Sequence, residues 1–268
     1  MNRTGRDASD VYFLETCDAL AAANIDPADF ARRHALLLLK PDAAITGAMT
    51  PALSWLLANG YRIVGAHPVK LTRLHLRALW YFNWHRATPE RRRLADRLAG
   101  LSMSVVLILT HPDDTVPVSS RLTLEKGPAD PRLREPAHLR SVLSAGTYLL
   151  NLVHSADEPD DVLRELGIYF GEPELSAVIA GCAADTDVFD EAFRIVHRIE
   201  SSVARRTGDL SAVQDAVWAD LEATGMVERP RSGDEWLSAI ETACERGVHL
   251  DVWFRTVIES AYRPLHRA

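Results

Sequence analysis

Five consecutive apolar residues, Ala35-Leu36-Leu37-Leu38-Leu39, stop abruptly at Lys40-Pro41-Asp42. A run this short suits a buried strand. Three more segments of similar character follow at intervals. Tyr61 to Leu71 reads as a second strand, Met103 to Leu109 as a third built from β-branched and aliphatic residues, and Thr147 to His154 as a fourth. Helical patterns lie between them. Ile45 to Ala58 places Met49, Leu53, Leu56 and Leu57 on one side and closes at Asn59-Gly60. Thr72 to Leu98 is mostly helical, with an interruption near Thr88-Pro89, and Pro159 to Leu166 is a helix opened by acidic residues. Pro112 to Pro136, rich in Pro, Asp, Arg and Ser, reads as a long functional loop containing a short helix.

The resulting order, β-α-β-α-β-loop-β-α, is that of a ferredoxin-like α/β (α+β) sandwich with an antiparallel sheet. A doubly wound sheet is disfavoured, because no Gly-rich phosphate turn follows the first strand. Residues 8 to 33 read as a helical extension, with Val11, Leu14, Leu20 and Phe30 as an apolar stripe and Pro27 as a break. From about Leu175 onward long amphipathic helices are expected over 186–206, 209–224, 233–246 and 248–262. The expected organisation is an N-terminal extension (1–33), an α/β domain (34–176) and a helical C-terminal domain (177–268). Trp218, Trp236, Trp253 and Phe254 fall within amphipathic patterns and are expected in the core.

A formal net charge of −7 lacks the basic field of a nucleic-acid binder. No segment reaches the roughly 20 apolar residues of a membrane span, and the polar start Met1 to Asp7 has no signal-peptide character. Cys17, Cys182 and Cys244 lie far apart, which suits free thiols in a reducing cytosol. His197, His249 and His266 show no metal-ligand spacing. A soluble cytoplasmic protein is expected.

The chemistry is concentrated in Asn151-Leu152-Val153-His154-Ser155-Ala156-Asp157. Taken singly, a histidine at a strand end is either a satisfied structural residue or a nucleophile whose tautomer a carboxylate sets. Its surroundings favour the second. This segment, followed by Glu165-Leu166-Gly167-Ile168-Tyr169-Phe170, resembles the active-site signature of nucleoside diphosphate kinases. Leu38-Leu39-Lys40-Pro41-Asp42 resembles the family's first-strand motif, and Gly60 to Gly65 its second strand. The likeness covers roughly residues 34 to 176.

The resemblance implies transfer of the terminal phosphate of a nucleoside triphosphate to His154, then to an acceptor: a nucleoside diphosphate or a more specialised small molecule. It implies that Lys40, Arg121 and Arg140 meet phosphate, with Arg140 one residue out of the family's spacing. Asn151 would orient a sugar hydroxyl or phosphate, Tyr81 would line the nucleotide pocket, and Glu165 would hold the non-attacking ring nitrogen of His154. Mg2+ would arrive with the triphosphate, and a homo-oligomer is expected. The other function class is a catalytically weak nucleotide-binding regulator or scaffold on the same fold.

Several positions depart from the family pattern. Ala156 stands where the family has Ser, and Leu124 to Asp130 lacks the family's phosphate-binding Thr, with Lys126 as a candidate replacement charge. Arg91-Arg92-Arg93 occupies the region of the family's base-stacking aromatic, either as a solvated helix face or as a clamp for an additional anionic group. The helical tail would cap the site, replace oligomer contacts or bind a partner.

Overall fold

The computed structural model describes residues 9–144 and 146–267; the polar start read at Met1 to Asp7 lies outside the described residues. The chain opens with α1 (Val11–Ala22) and α2 (Pro27–Arg33). β1 (Ala35–Leu39), α3 (Pro41–Thr46), α4 (Met49–Ala58) and β2 (Arg62–Val69) follow, then α5 (Arg73–Leu79), a 3₁₀ turn at Trp84–Arg86 and α6 (Pro89–Ala99). β3 (Ser104–Thr110), α7 (Val118–Lys126), α8 (Leu139–Val142), β4 (Val153–Ser155) and α9 (Pro159–Tyr169) complete the α/β part. The remaining helices are α10 (Glu174–Ala183), α11 (Phe189–Ser201), α12 (Leu210–Ala223), α13 (Gly233–Glu245) and α14 (Val252–Tyr262).

The sheet order is β2-β3-β1-β4, and every neighbouring pair is antiparallel. This is the expected ferredoxin-like arrangement. All five residues of β1 are buried because both faces of the sheet are covered. Strand periodicity divides them: Leu37 and Leu39 join Leu107 and Leu109 under α3, α4 and α11, whereas Leu36 and Leu38 join Val106 and Ile108 under α9 and α10. His154 pairs with Leu38 and so shares the α9 side of the sheet.

The helices beyond residue 176 do two different things. α11 packs on the sheet through Ala192, Val196 and Ile199, and its Glu200 caps α4, accepting bonds from the Met49 N–H at 2.9 Å and the Thr50 hydroxyl at 2.7 Å. α4 has no side-chain cap of its own, so this carboxylate satisfies donors at its first turn. α12, α13 and α14 instead bury Val213, Val217, Trp236, Ile240, Trp253 and Val257 in a third cluster, shared with Ile45, Leu98 and Leu150. Trp218 and Phe254 pack against that cluster, as expected.

Several expectations need correction. The helix read over Ile45 to Ala58 is two helices, because Gly47 adopts a left-handed conformation (φ 70°) that ends α3, and Leu57 is exposed. Val11 and Leu14 are exposed, leaving Leu20 and Phe30 to carry the stripe. The fourth strand is only Val153–Ser155: Leu152 sits at φ 66°, and the Thr147 hydroxyl accepts the Leu150 N–H, so the chain before it turns. The short helix expected within the long loop is α7, whereas α10 was not anticipated.

Candidate active site

The Lys-Pro-Asp motif ends β1 and immediately ties down the turn before His154. Pro41 takes the first position of α3, where its missing N–H costs nothing. The fully buried Asp42 accepts the Leu152 N–H at 2.9 Å, and the Leu152 carbonyl accepts the Lys40 N–H at 2.9 Å. The Lys40 ammonium donates to the Leu149 carbonyl at 2.8 Å and to Asn151 Oδ1 at 2.7 Å, and lies 3.4 Å from Asp42. Asn151 Nδ2 donates in turn to the Tyr148 carbonyl at 2.9 Å. Motifs more than a hundred residues apart thus hold one left-handed turn in shape.

That turn delivers His154. Its Nε2 lies 2.8 Å from Glu165 Oε1 on α9, and the second Glu165 oxygen accepts the Tyr169 hydroxyl at 3.5 Å. A carboxylate accepts, so Nε2 carries the proton and the Nδ1 lone pair is available for attack. The Trp80 ring meets the imidazole edge to face, 5.2 Å between centroids. A cavity of about 830 Å³ opens at this point, lined by His154, Glu165, Lys40, Asn151, Lys126 and Arg140 among others.

Three buried cations surround the histidine. Arg140 donates to the carbonyls of Gly127 at 2.8 Å and Val153 at 2.7 Å, and its buried Nε has no partner among the described residues. Lys126, the last residue of α7, donates to Ser155 Oγ at 2.5 Å and lies 3.3 Å from Asp157. Burial pushes Lys126 down to about 8 and Arg140 down to about 10, and it lowers Lys40 as well; Arg140 adds repulsion to both lysines. Burial opposes the Asp157 carboxylate, but Lys126 and His154 hold it below the usual range. Cations crowded against their own desolvation are favourably placed to receive an anion.

Not every anticipated residue reaches this cavity. Arg121 pairs with Asp113 and lies 3.7 Å from Glu125, and it does not line the cavity. Tyr81 is 67% exposed and packs on Phe82; it stands beyond the end of α5, and its neighbour Trp80 turns toward His154 instead. Ala156 is wholly buried against α9, so the hydroxyl nearest the histidine's backbone is that of Ser155. The arginine run separates: Arg91 lines the cavity, Arg92 donates to the Ala87 carbonyl and Arg93 pairs with Glu90. His266 also lines the cavity, although its sequence neighbourhood carried no sign of it. Among the described residues no group of three or more His, Cys, Asp and Glu is arranged to hold a metal ion, and no helix is long and apolar enough to cross a membrane.

A family model described as nucleoside diphosphate kinase matches residues 33–175, more than half of the chain. The nucleoside diphosphate kinase of Thermomicrobium roseum is 30% identical over 140 residues, covering 52% of this chain and 89% of that protein. That of Thermococcus kodakarensis is 29% identical over 150 residues, covering 55% and 82%. Among solved structures, a crystal form of the Aquifex aeolicus nucleoside diphosphate kinase aligns with 23% identity and a TM-score of 0.44, covering 53% of this chain and 97% of that one. With motif order, sheet topology and the matched span in agreement, this chain belongs to the nucleoside diphosphate kinase family.

Proposed function

We propose that this chain moves the terminal phosphate of a nucleoside triphosphate through a phosphohistidine at His154 onto a nucleoside diphosphate or a related small acceptor. The observation that carries the reading is the His154–Glu165 pair, opening onto a cavity that three buried cations line. In the first step the Nδ1 lone pair attacks the terminal phosphorus, the bond to the bridging oxygen breaks, and its electron pair leaves on the diphosphate. In the second, an oxygen of the acceptor's terminal phosphate attacks the same phosphorus and the P–N pair returns to Nδ1. Glu165 keeps the proton on Nε2 throughout and offsets the positive charge of the phosphorylated ring. Lys40, Lys126 and Arg140 compensate charge on the phosphate oxygens, and Asn151 orients a hydroxyl or phosphate while fixing Lys40. Mg2+ entering with the triphosphate would offset further oxygen charge; the cavity-lining Asp157 carboxylate fits contact with such a nucleotide-borne ion.

The pairing of Arg121 with Asp113, away from the cavity lining, and the buried Ala156 favour a second reading, a nucleotide-binding regulator with weak catalysis. Incubation with Mg2+ and triphosphate labelled at its terminal phosphate separates the two. Acid-labile, base-stable label on the wild type and none on His154→Ala is the expected result. No label with any triphosphate tested overturns transfer through His154.

A further inference from the structure

One end of the cavity gathers three groups that phosphate transfer does not use: Arg86, Arg91 and His266. Residues 264–267 run along the turn that carries Arg86 into α6. Ala87 and His266 form an antiparallel bridge, the Arg86 carbonyl accepts the Arg267 N–H at 2.8 Å, and the Thr88 hydroxyl donates to the Pro264 carbonyl at 2.6 Å. His266 Nδ1 is thereby held 3.5 Å from Arg91 Nη1. The Arg91 guanidinium lies over the Tyr148 ring, 5.0 Å from its centroid, and the His266 ring meets the same tyrosine at 4.8 Å. The ion pairs of the described residues include neither Arg86 nor Arg91, whereas neighbouring Arg93 and Arg97 each have a glutamate. Burial and the two guanidiniums push the His266 imidazole below its ordinary value. Two guanidiniums held beside an imidazole, with no ion pair to either guanidinium among the described residues, on the wall of a ligand-sized cavity, fit an anion that would also protonate the ring.

We propose that Arg86, Arg91 and His266 form a second anion-binding subsite, and that the preferred acceptor is a nucleoside diphosphate carrying an additional phosphate on its ribose. The acceptor class rests on the transfer reading above; the subsite does not. Tyr148 supplies the platform that orients Arg91, and the segment clamped to residues 86–88 supplies the imidazole.

Two measurements on the full chain test this. The first follows histidine ring signals by NMR against pH, in inorganic phosphate and in chloride of equal ionic strength, with His266 assigned by its loss in His266→Gln. Arg91 on α6, Arg86 in the preceding turn, the Tyr148 ring and Arg267 beside it are the charged or titratable groups near this imidazole. Phosphate is expected to raise the His266 midpoint by about half a unit or more, and Arg91→Gln to abolish that response while the His154 signal still answers to phosphate. A midpoint unmoved by phosphate, or a response that Arg91→Gln leaves intact, overturns the subsite. A response at His266 in a protein that takes no label at His154 keeps the subsite and removes the transfer reading. The second compares ADP with its 2′- and 3′-phosphorylated counterparts as acceptors. One of the two is expected to show a KM about tenfold lower than ADP at similar kcat, with the advantage lost in Arg91→Gln; equal KM values for all three overturn the acceptor class.

Discussion

The two ends of the cavity are built on opposite principles. Around His154 the three cations are buried and internally bonded, Lys40 by Leu149 and Asn151, Arg140 by two carbonyls and Lys126 by Ser155 and Asp157, and the half-buried His154 is held by Glu165. Around Arg91 the groups are more exposed, stack rather than pair, and come partly from residues outside the span matched by the family model. Pre-bonded groups hold a geometry and leave little room for change. Loosely bonded ones set affinity, and altering them leaves the chemistry standing.

Substitutions at the two ends should therefore separate rate from affinity. His154→Asn is expected to lower label uptake by at least about 10⁴-fold, while Arg91→Gln changes it by no more than about twofold; comparable losses in a single-turnover labelling assay would erase the distinction. Lys126 gives the next effect. Its folded value, about 8, lies below the ordinary value for lysine, so between pH 8 and about 10.5 the unfolded chain binds more protons and this group's penalty on folding is relieved as pH rises. Urea unfolding at pH 7 and pH 10 should show wild type gaining up to about 3 kcal/mol relative to Lys126→Met. Label uptake should fall over the same range, and Lys126→Arg should postpone that fall. Glu165→Gln should slow labelling by about 10- to 100-fold, because the ring keeps its place but loses its counter-charge; stopped-flow labelling would measure it. Tyr81→Ala is expected to change nucleotide affinity by less than about 0.5 kcal/mol by calorimetry, since the ring points to solvent.

What could be read from sequence followed the range over which each feature is determined. Short apolar runs became strands because burial on both sheet faces demands them; strand register brings Lys40, Asn151 and His154 side by side, and the helix α9 packed on that face adds Glu165. The fourth strand was overestimated because its apolar residues do not reveal that Asp42, on another element, holds Leu152 in a left-handed turn. Arg121 carries a recognisable motif, yet its direction is set by Asp113 and Glu125. Tyr81 and Trp80 are adjacent aromatics, and only the end of α5 decides which one faces inward. His266 was unreadable because its contacts lie some 175 residues away in the chain.

That separation also has a consequence in time. Synthesis at roughly 5–20 residues per second puts His154 and the strand it pairs with into existence about 6–20 s before residue 266 is added. The segment bonded to residues 86–88 is therefore made last, after every other residue that lines the cavity. If Arg86, Arg91 and His266 bind an additional anion, discrimination at that end begins only once this segment docks.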